Sequence, residues 1–196
     1  WPTGDFNLHL GMDFGTLPGK QIALLICVTG DAENAHVYVL DEYVDTLGTA
    51  TTRMDARGIL AMLTRNRQTW NDLHCAYGDR THMPGREEQK SVRDLSLAIL
   101  REMASTTKLD PPLRSAKSGA GRGAGAVDVG GRWLRTAMLE ARFAVHPRCA
   151  KLIASLPKYS GADDGWKDAL DALRYGIDPV IHARVPRGPV ANVRIG

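Results

Sequence analysis

Leu8, Leu10 and Met12 alternate with His9 and Gly11 near the start of the chain, the two-residue period of a strand with one buried face. This strand ends by presenting a carboxylate, Asp13, flanked by Gly11 and Gly15, which leave space for a phosphate or a metal near the backbone. Leu17-Pro18-Gly19-Lys20 reads as a turn, and Gln21 to Val28 as an apolar run closed by Thr29-Gly30-Asp31. His36 to Tyr43 alternates again, with Val37 and Val39 against Tyr38 and Leu40. Three strands joined by tight turns predict an antiparallel meander.

Helical spacing takes over beyond residue 50. Thr51 or Thr52 caps a predicted helix with Met54, Ile59, Leu60, Met62 and Leu63 on one face. Leu73 to Tyr77 is a short strand closed by Gly78-Asp79. A second helix is predicted from about Glu87 to Ser105, burying Val92, Leu95, Leu97, Ile99, Leu100 and Met103. Pro111-Pro112 stops any helix, and Leu113 to Ala116 offers another strand. The Gly-rich segment from Ser118 to Gly131 reads as a mobile loop around Arg122. Val127 to Ala141 turns helical, with Trp133, Met138 and Leu139 read as core, and Phe143 to Val145 is brief and strand-like. Pro147 suits the first turn of a helix carrying Cys149, Leu152, Ile153 and Leu156. Asp163-Asp164 caps a last helix from Trp166 to about Ile177, which Pro179 terminates. The order implies a mixed sheet with helices on its faces: one domain over residues 1–180, then a basic tail over 181–196 with Arg184, Arg187 and Arg194.

A chain of 196 residues fits one domain with a full core, and 43% hydrophobic with 24% charged residues is ordinary for a globular protein. No apolar run approaches 18 residues and no leader opens the chain, so neither a membrane span nor a signal peptide is expected. Cys27, Cys75 and Cys149 are far apart, without metal-ligand spacing, which fits reduced thiols in a cytosol-like compartment. The six histidines show no metal spacing either; each reads as a surface or hydrogen-bonded side chain, with His82 and His146 the two of most interest. Net charge is only +3. Between Lys108 and Arg148, however, eight Lys or Arg face three acids, a solvated surface by default and a phosphate-contacting one in the sharper reading.

The candidate chemistry is acidic. Asp13 and Asp79 end two predicted strands, and carboxyl ends of neighbouring strands are where such sheets collect ligands. Asp168 and Asp171, three apart on the last helix, share a face while Leu170, Leu173 and Ile177 face the core. Carboxylates so disposed can hold two hard divalent ions, and an ion pair about 4 Å apart clamps the attacking and leaving oxygens of a phosphodiester. Each acid also has a plain reading: a turn cap for Asp13, a solvated helix face for Asp168 and Asp171.

Gly11-Met12-Asp13-Phe14-Gly15, Tyr77-Gly78-Asp79, Val145-His146-Pro147-Arg148-Cys149 before Leu152-Ile153, and Asp168-Ala169-Leu170-Asp171-Ala172-Leu173-Arg174-Tyr175 together resemble the nuclease domain of tailed-phage terminase large subunits, over roughly residues 5 to 178. The resemblance implies an α/β, RNase H-like fold: a mixed five-stranded sheet, antiparallel meander plus parallel strands, flanked by helices. It implies an endonuclease using two Mg²⁺ or Mn²⁺ ions to cut concatemeric viral double-stranded DNA during genome packaging in the host cytoplasm. Its partners would be a terminase ATPase domain, a small terminase subunit and the portal. Asp13, Asp79 and Asp168 would be the metal ligands, with Asp171 a fourth or substitute. Arg80, Lys117, Arg122, Arg132 and Lys167 are the candidate DNA contacts, Arg122 at the tip of a flap. Two departures stand out. Arg80 follows the second acid where many members have Pro, and no Gly-x-x-x-x-Gly-Lys-Ser/Thr is present, so the chain reads as the nuclease half without the motor. Asp13-Phe14-Gly15-Thr16 also resembles the first phosphate loop of actin-like ATPases and sugar kinases, whose second domain 196 residues cannot accommodate. A protein-kinase Asp-Phe-Gly lacks its accompanying motifs. The alternative of another kind is a DNA-binding domain of the same fold that does not cut.

Overall fold

The computed structural model describes residues 5–15, 18–30, 34–48, 51–78, 91–105, 108–116, 123–158 (backbone only for 123–129) and 166–181. Strands β1 (Asn7–Asp13), β2 (Ile22–Thr29) and β3 (His36–Val44) form the predicted antiparallel meander, with Leu10 opposite Leu25 and Cys27 opposite Tyr38. β4 (Cys75–Gly78) lies parallel to β1, β5 (Leu113–Ser115) parallel to β4, and β6 (Phe143–Val145) parallel to β3. The sheet is therefore six-stranded, in the order β5-β4-β1-β2-β3-β6, one strand more than expected. The sixth is the three-residue segment 143–145, whose pairing with Val37 to Val39 makes it a strand despite its length.

Helices cover both faces. α1 (Thr52–Arg65) and α2 (Val92–Glu102) pack on one, against Leu8, Leu10, Met12, Ala23, Leu25 and Cys27. On the other lie α3 (Gly123–Leu139), α4 (Ala150–Ser155), α5 (Lys167–Gly176) and α6 (Asp178–Ile181), where Ile22, Leu24 and Ile26 meet Leu152, Ala169, Ala172, Leu173 and Ile177. β2 is thus apolar on both faces, which is why Ile22 to Val28 reads as a continuous hydrophobic run.

Helix ends differ from expectation in instructive ways. Thr51 caps α1, its side chain accepting from the Met54 amide at 3.3 Å, and Ser91 caps α2 by accepting from Asp94 at 3.1 Å. The described part of α2 starts at Val92 and stops at Glu102, and Leu97 faces outward rather than into the core. α3 begins at Gly123, so part of the predicted Gly-rich loop is helix. Glycine costs about 1 kcal/mol per helical position, a cost packing can override. Leu139, read as core, is 83% exposed, and Met138 is also exposed, whereas Trp133 packs against the sheet. α4 starts at Ala150, after Pro147 rather than at it. Pro179 does not end the helical region: after α5 closes, it sits in the first turn of α6, where its missing N–H is no loss. Asp163, Asp164 and the tail beyond Ile181 lie outside the described residues. No helix among the described residues is long and apolar enough to cross a membrane.

Candidate active site

Two backbones in direct contact build the site. On β1 the side chains of His9 and Asp13, with Gly11 between them, lie on the face toward α5, opposite to Leu8, Leu10 and Met12. A Cβ on Gly11 would lie 2.1 Å from the Ala172 carbonyl oxygen and 2.5 Å from the Gly176 amide, so only glycine admits the helix there. The buried His9 Nδ1–H donates to the Gly176 carbonyl at 2.9 Å and ties down the helix end. α5 therefore runs opposite to β1: Gly176 lies by His9 and Gly11, and the preceding turns run toward Asp13. From Gly11 to Asp13 the strand advances about 7 Å, and from Ala172 to Asp168 the helix recedes about 6 Å. Asp13 and Asp168 are thereby carried to the same end of the interface, both buried.

Cations already gather there. Lys20, delivered by the β1–β2 turn, places Nζ 2.9 Å from Asp168 Oδ2, although that buried oxygen accepts no directed hydrogen bond among the described residues. Gly15 makes the turn possible, since a Cβ on it would sit 2.4 Å from Lys20 Cβ. Asp171, also buried, pairs with Arg174 Nη2 at 2.8 Å and lies 3.9 Å from Lys167 Nζ. It points toward a groove of about 260 Å³ between α3 and α5, lined by Leu134, Met138, Leu170 and Arg174 among others.

Of the expected site residues, Asp13 and Asp168 are carried by β1 and α5 to one end of their interface, whereas Asp171, also on α5, pairs with Arg174 and lines the groove toward α3. Asp79 and Arg80 lie outside the described residues; β4 stops just before them at Gly78, register-paired with Met12 beside Asp13. Lys117 and Arg122 are outside as well, as are Thr16 and His82, while the part of the predicted Gly-rich flap from Gly123 onward is the start of α3, helix rather than loop. Arg132 is exposed on α3, and Lys167 opens α5. His146 accepts from the Arg148 amide at 3.2 Å. No group of three His, Cys, Asp or Glu side chains close enough to hold a metal occurs among the described residues. The donors at this end are carboxylate oxygens, hard ligands suited to Mg²⁺ or Mn²⁺, and the orphaned Asp168 oxygen beside an ammonium marks a place that accepts positive charge. Burial pushes the Cys27 thiol up to about 11 and the Cys75 and Cys149 thiols up to about 12, so none offers a thiolate.

Sequence reasoning missed Lys20, read only as part of a turn. A long side chain at the base of a hairpin whose first strand ends in an acid was the available signal. It also missed Glu42, whose carboxylate accepts from the Lys151 and Leu152 amides at 2.7 and 3.1 Å and so caps α4 from β3.

A mixed sheet of antiparallel meander and parallel flanking strands, with helices on both faces and an acid ending the central strand β1, defines the RNase H-like fold. Among solved structures it is shared by phage large-terminase nuclease domains. That of bacteriophage SPP1, determined with bound Mn, aligns with a TM-score of 0.54 and 18% identity over 88% of this chain and 85% of that one. That of P22 aligns with a TM-score of 0.59 and 20% identity over 90% of this chain and 82% of that one. No protein-family model and no curated protein matches the chain.

Proposed function

We propose that this chain is a metal-dependent DNA endonuclease of viral genome packaging, cutting concatemeric duplex DNA with little sequence preference. The observation that carries this reading is the pairing of a strand-end acid with a helix acid across a glycine-only contact, in a fold shared with terminase nuclease domains. Asp13, Asp79 and Asp168 hold two divalent ions, with Asp171 as a further ligand. When bound, Mg²⁺ or Mn²⁺ supplies an acidified water and stabilisation of the leaving 3′ oxygen. The chain's own residues prepare the place: Gly11 lets α5 seat against β1, and Lys20 balances Asp168 before an ion arrives. Arg174 holds Asp171. Arg80, Lys117, Arg122, Arg132 and Lys167 track the phosphate backbone. A terminase ATPase domain, the small terminase subunit and the portal present the DNA in the host cytoplasm.

Cleavage of supercoiled plasmid with Mn²⁺ or Mg²⁺ tests the reading. The wild-type chain is expected to give nicked and linear products, and Asp13→Ala to lose at least about 100-fold in rate, the scale expected when charge stabilisation is removed. Equal cutting by both proteins would remove the mechanism.

A further inference from the structure

The half of the sheet that carries Asp13 continues sideways past α5. In register, Gly11 of β1 lies opposite Tyr77 of β4, and Tyr77 opposite Arg114 of β5. Residues aligned in this way share one face of a sheet, so Tyr77 and Arg114 belong to the side on which α5 seats over Gly11. α5 packs chiefly on β1, β2 and β4, and β5 forms the sheet edge beyond it. Tyr77 is half-buried there and Arg114 exposed. Cys75, opposite His9 on the same face, reports the side chain's direction: burial raises its thiol, and the Arg114 charge works against that rise. Among the described residues Arg114 has no hydrogen bond or ion pair. Two strand spacings across the sheet and one two-residue step along it put its Cα about 12 Å from that of Asp13.

The fold also sorts the basic stretch from Lys108 to Arg148. Arg142 donates to Glu140 and to the Ala35 carbonyl, and Arg135 lines the α3–α5 groove. Arg148 follows β6, at the sheet edge opposite to β5. Arg114, by contrast, is set on the half and the face of the sheet that hold Asp13.

We propose that Arg114, with the hydroxyl of the neighbouring Tyr77, binds a backbone phosphate of duplex DNA flanking the one that is cut. The ligand rests on the DNA-cutting reading above. A guanidinium offers a phosphate two parallel N–H donors together with a fixed charge, and a phenol O–H adds a third donor. The contact fixes where the duplex crosses the β4–β5 edge without reading its sequence.

The test uses the full chain carrying Asp13→Asn, a fluorescein-labelled duplex of arbitrary sequence, and anisotropy across a KCl series. Adding Arg114→Gln, at an exposed position, is expected to weaken binding about fivefold at fixed salt and to flatten the slope of log K against log salt by about 0.9, the loss of one phosphate contact. Arg114→Lys keeps the slope yet loses about twofold in affinity, because an ammonium lacks the fork. Tyr77→Phe weakens binding about threefold with the slope unchanged. Arg148→Gln, exposed at the opposite edge, leaves affinity and slope as they are. With Asp13 intact, Arg114→Gln raises the KM for plasmid nicking and holds kcat within about twofold, as loss of uniform binding requires. Unchanged affinity and slope in Arg114→Gln would overturn the contact, and so would an equal effect of Arg148→Gln or absence of binding at the lowest salt. Arg114-dependent binding by a chain whose wild type never nicks plasmid would keep the contact and overturn the nuclease. Plasmid nicking with Arg114-independent binding would do the reverse.

Discussion

His9 shows how one side chain serves the site from a distance. It is 2% exposed, donates to Gly176 at the end of α5 and stacks on His74 at 5.7 Å between centroids. Burial, the largest influence, lowers its pKa to about 4 from an ordinary 6.5, against the raising effect of the Gly176 carbonyl. The folded chain therefore keeps it neutral. Between pH 6.5 and about 4 the unfolded chain binds the additional proton, so this contribution is complete above pH 6.5 and is lost as the pH falls toward 4. The full loss is about 3 kcal/mol. His9→Asn keeps a donor near the Nδ1 position and removes the titration. Urea unfolding at pH 7 and 4.5 should show wild type losing about 2 kcal/mol more than His9→Asn over that interval; equal losses would refute the assignment. The sequence marks His9 as a hydrogen-bonded histidine, but its partner lies 167 residues away, beyond any local pattern. The acids are legible because strand-end and helix-face carboxylates carry local signals. Lys20 is not, because its place beside Asp168 is set purely by the fold.

At the scale of elements, the contact of β1 with α5 decides everything about the site. The atoms that would meet a Cβ on Gly11 are backbone, so no rotamer change relieves the clash and α5 must move. Gly11→Ala should cost about 3 kcal/mol, the upper range for overpacking, and abolish Mn²⁺ binding with it. Gly131→Ala in α3, where a Cβ meets nothing within 4 Å, should instead raise stability by up to about 1 kcal/mol. Urea melts of the two variants check the contrast; similar losses from both would contradict the close packing. The meander, α1 and α5 were legible because their hydrophobic periods are long and regular. The start of α3 was not, because its glycines argue locally against a helix; Phe143 to Val145 reads as strand-like, but only its pairing with β3 places it in the sheet. Pro179 misled for a related reason, since a residue that ends one helix is equally suited to the first turn of another.

At the scale of the molecule, the sheet order places β1 between parallel β4 and antiparallel β2, so β1 and β4 finish at one edge and the β1–β2 turn returns there with Lys20. α5 comes back to the same edge from the far end of the chain. The resemblance carried the fold in four short segments; it gave no sign of Lys20, which the β1–β2 turn sets against Asp168. The central claim is that these acids grip divalent ions at that edge. A crystal of the wild-type chain soaked in Mn²⁺ and measured for anomalous scattering tests it most directly. The account predicts Mn²⁺ bound by the carboxylates of Asp13 and Asp168 at about 2.1 Å, with Lys20 displaced from Asp168. Manganese absent from both carboxylates, with Lys20 still on Asp168, would contradict it.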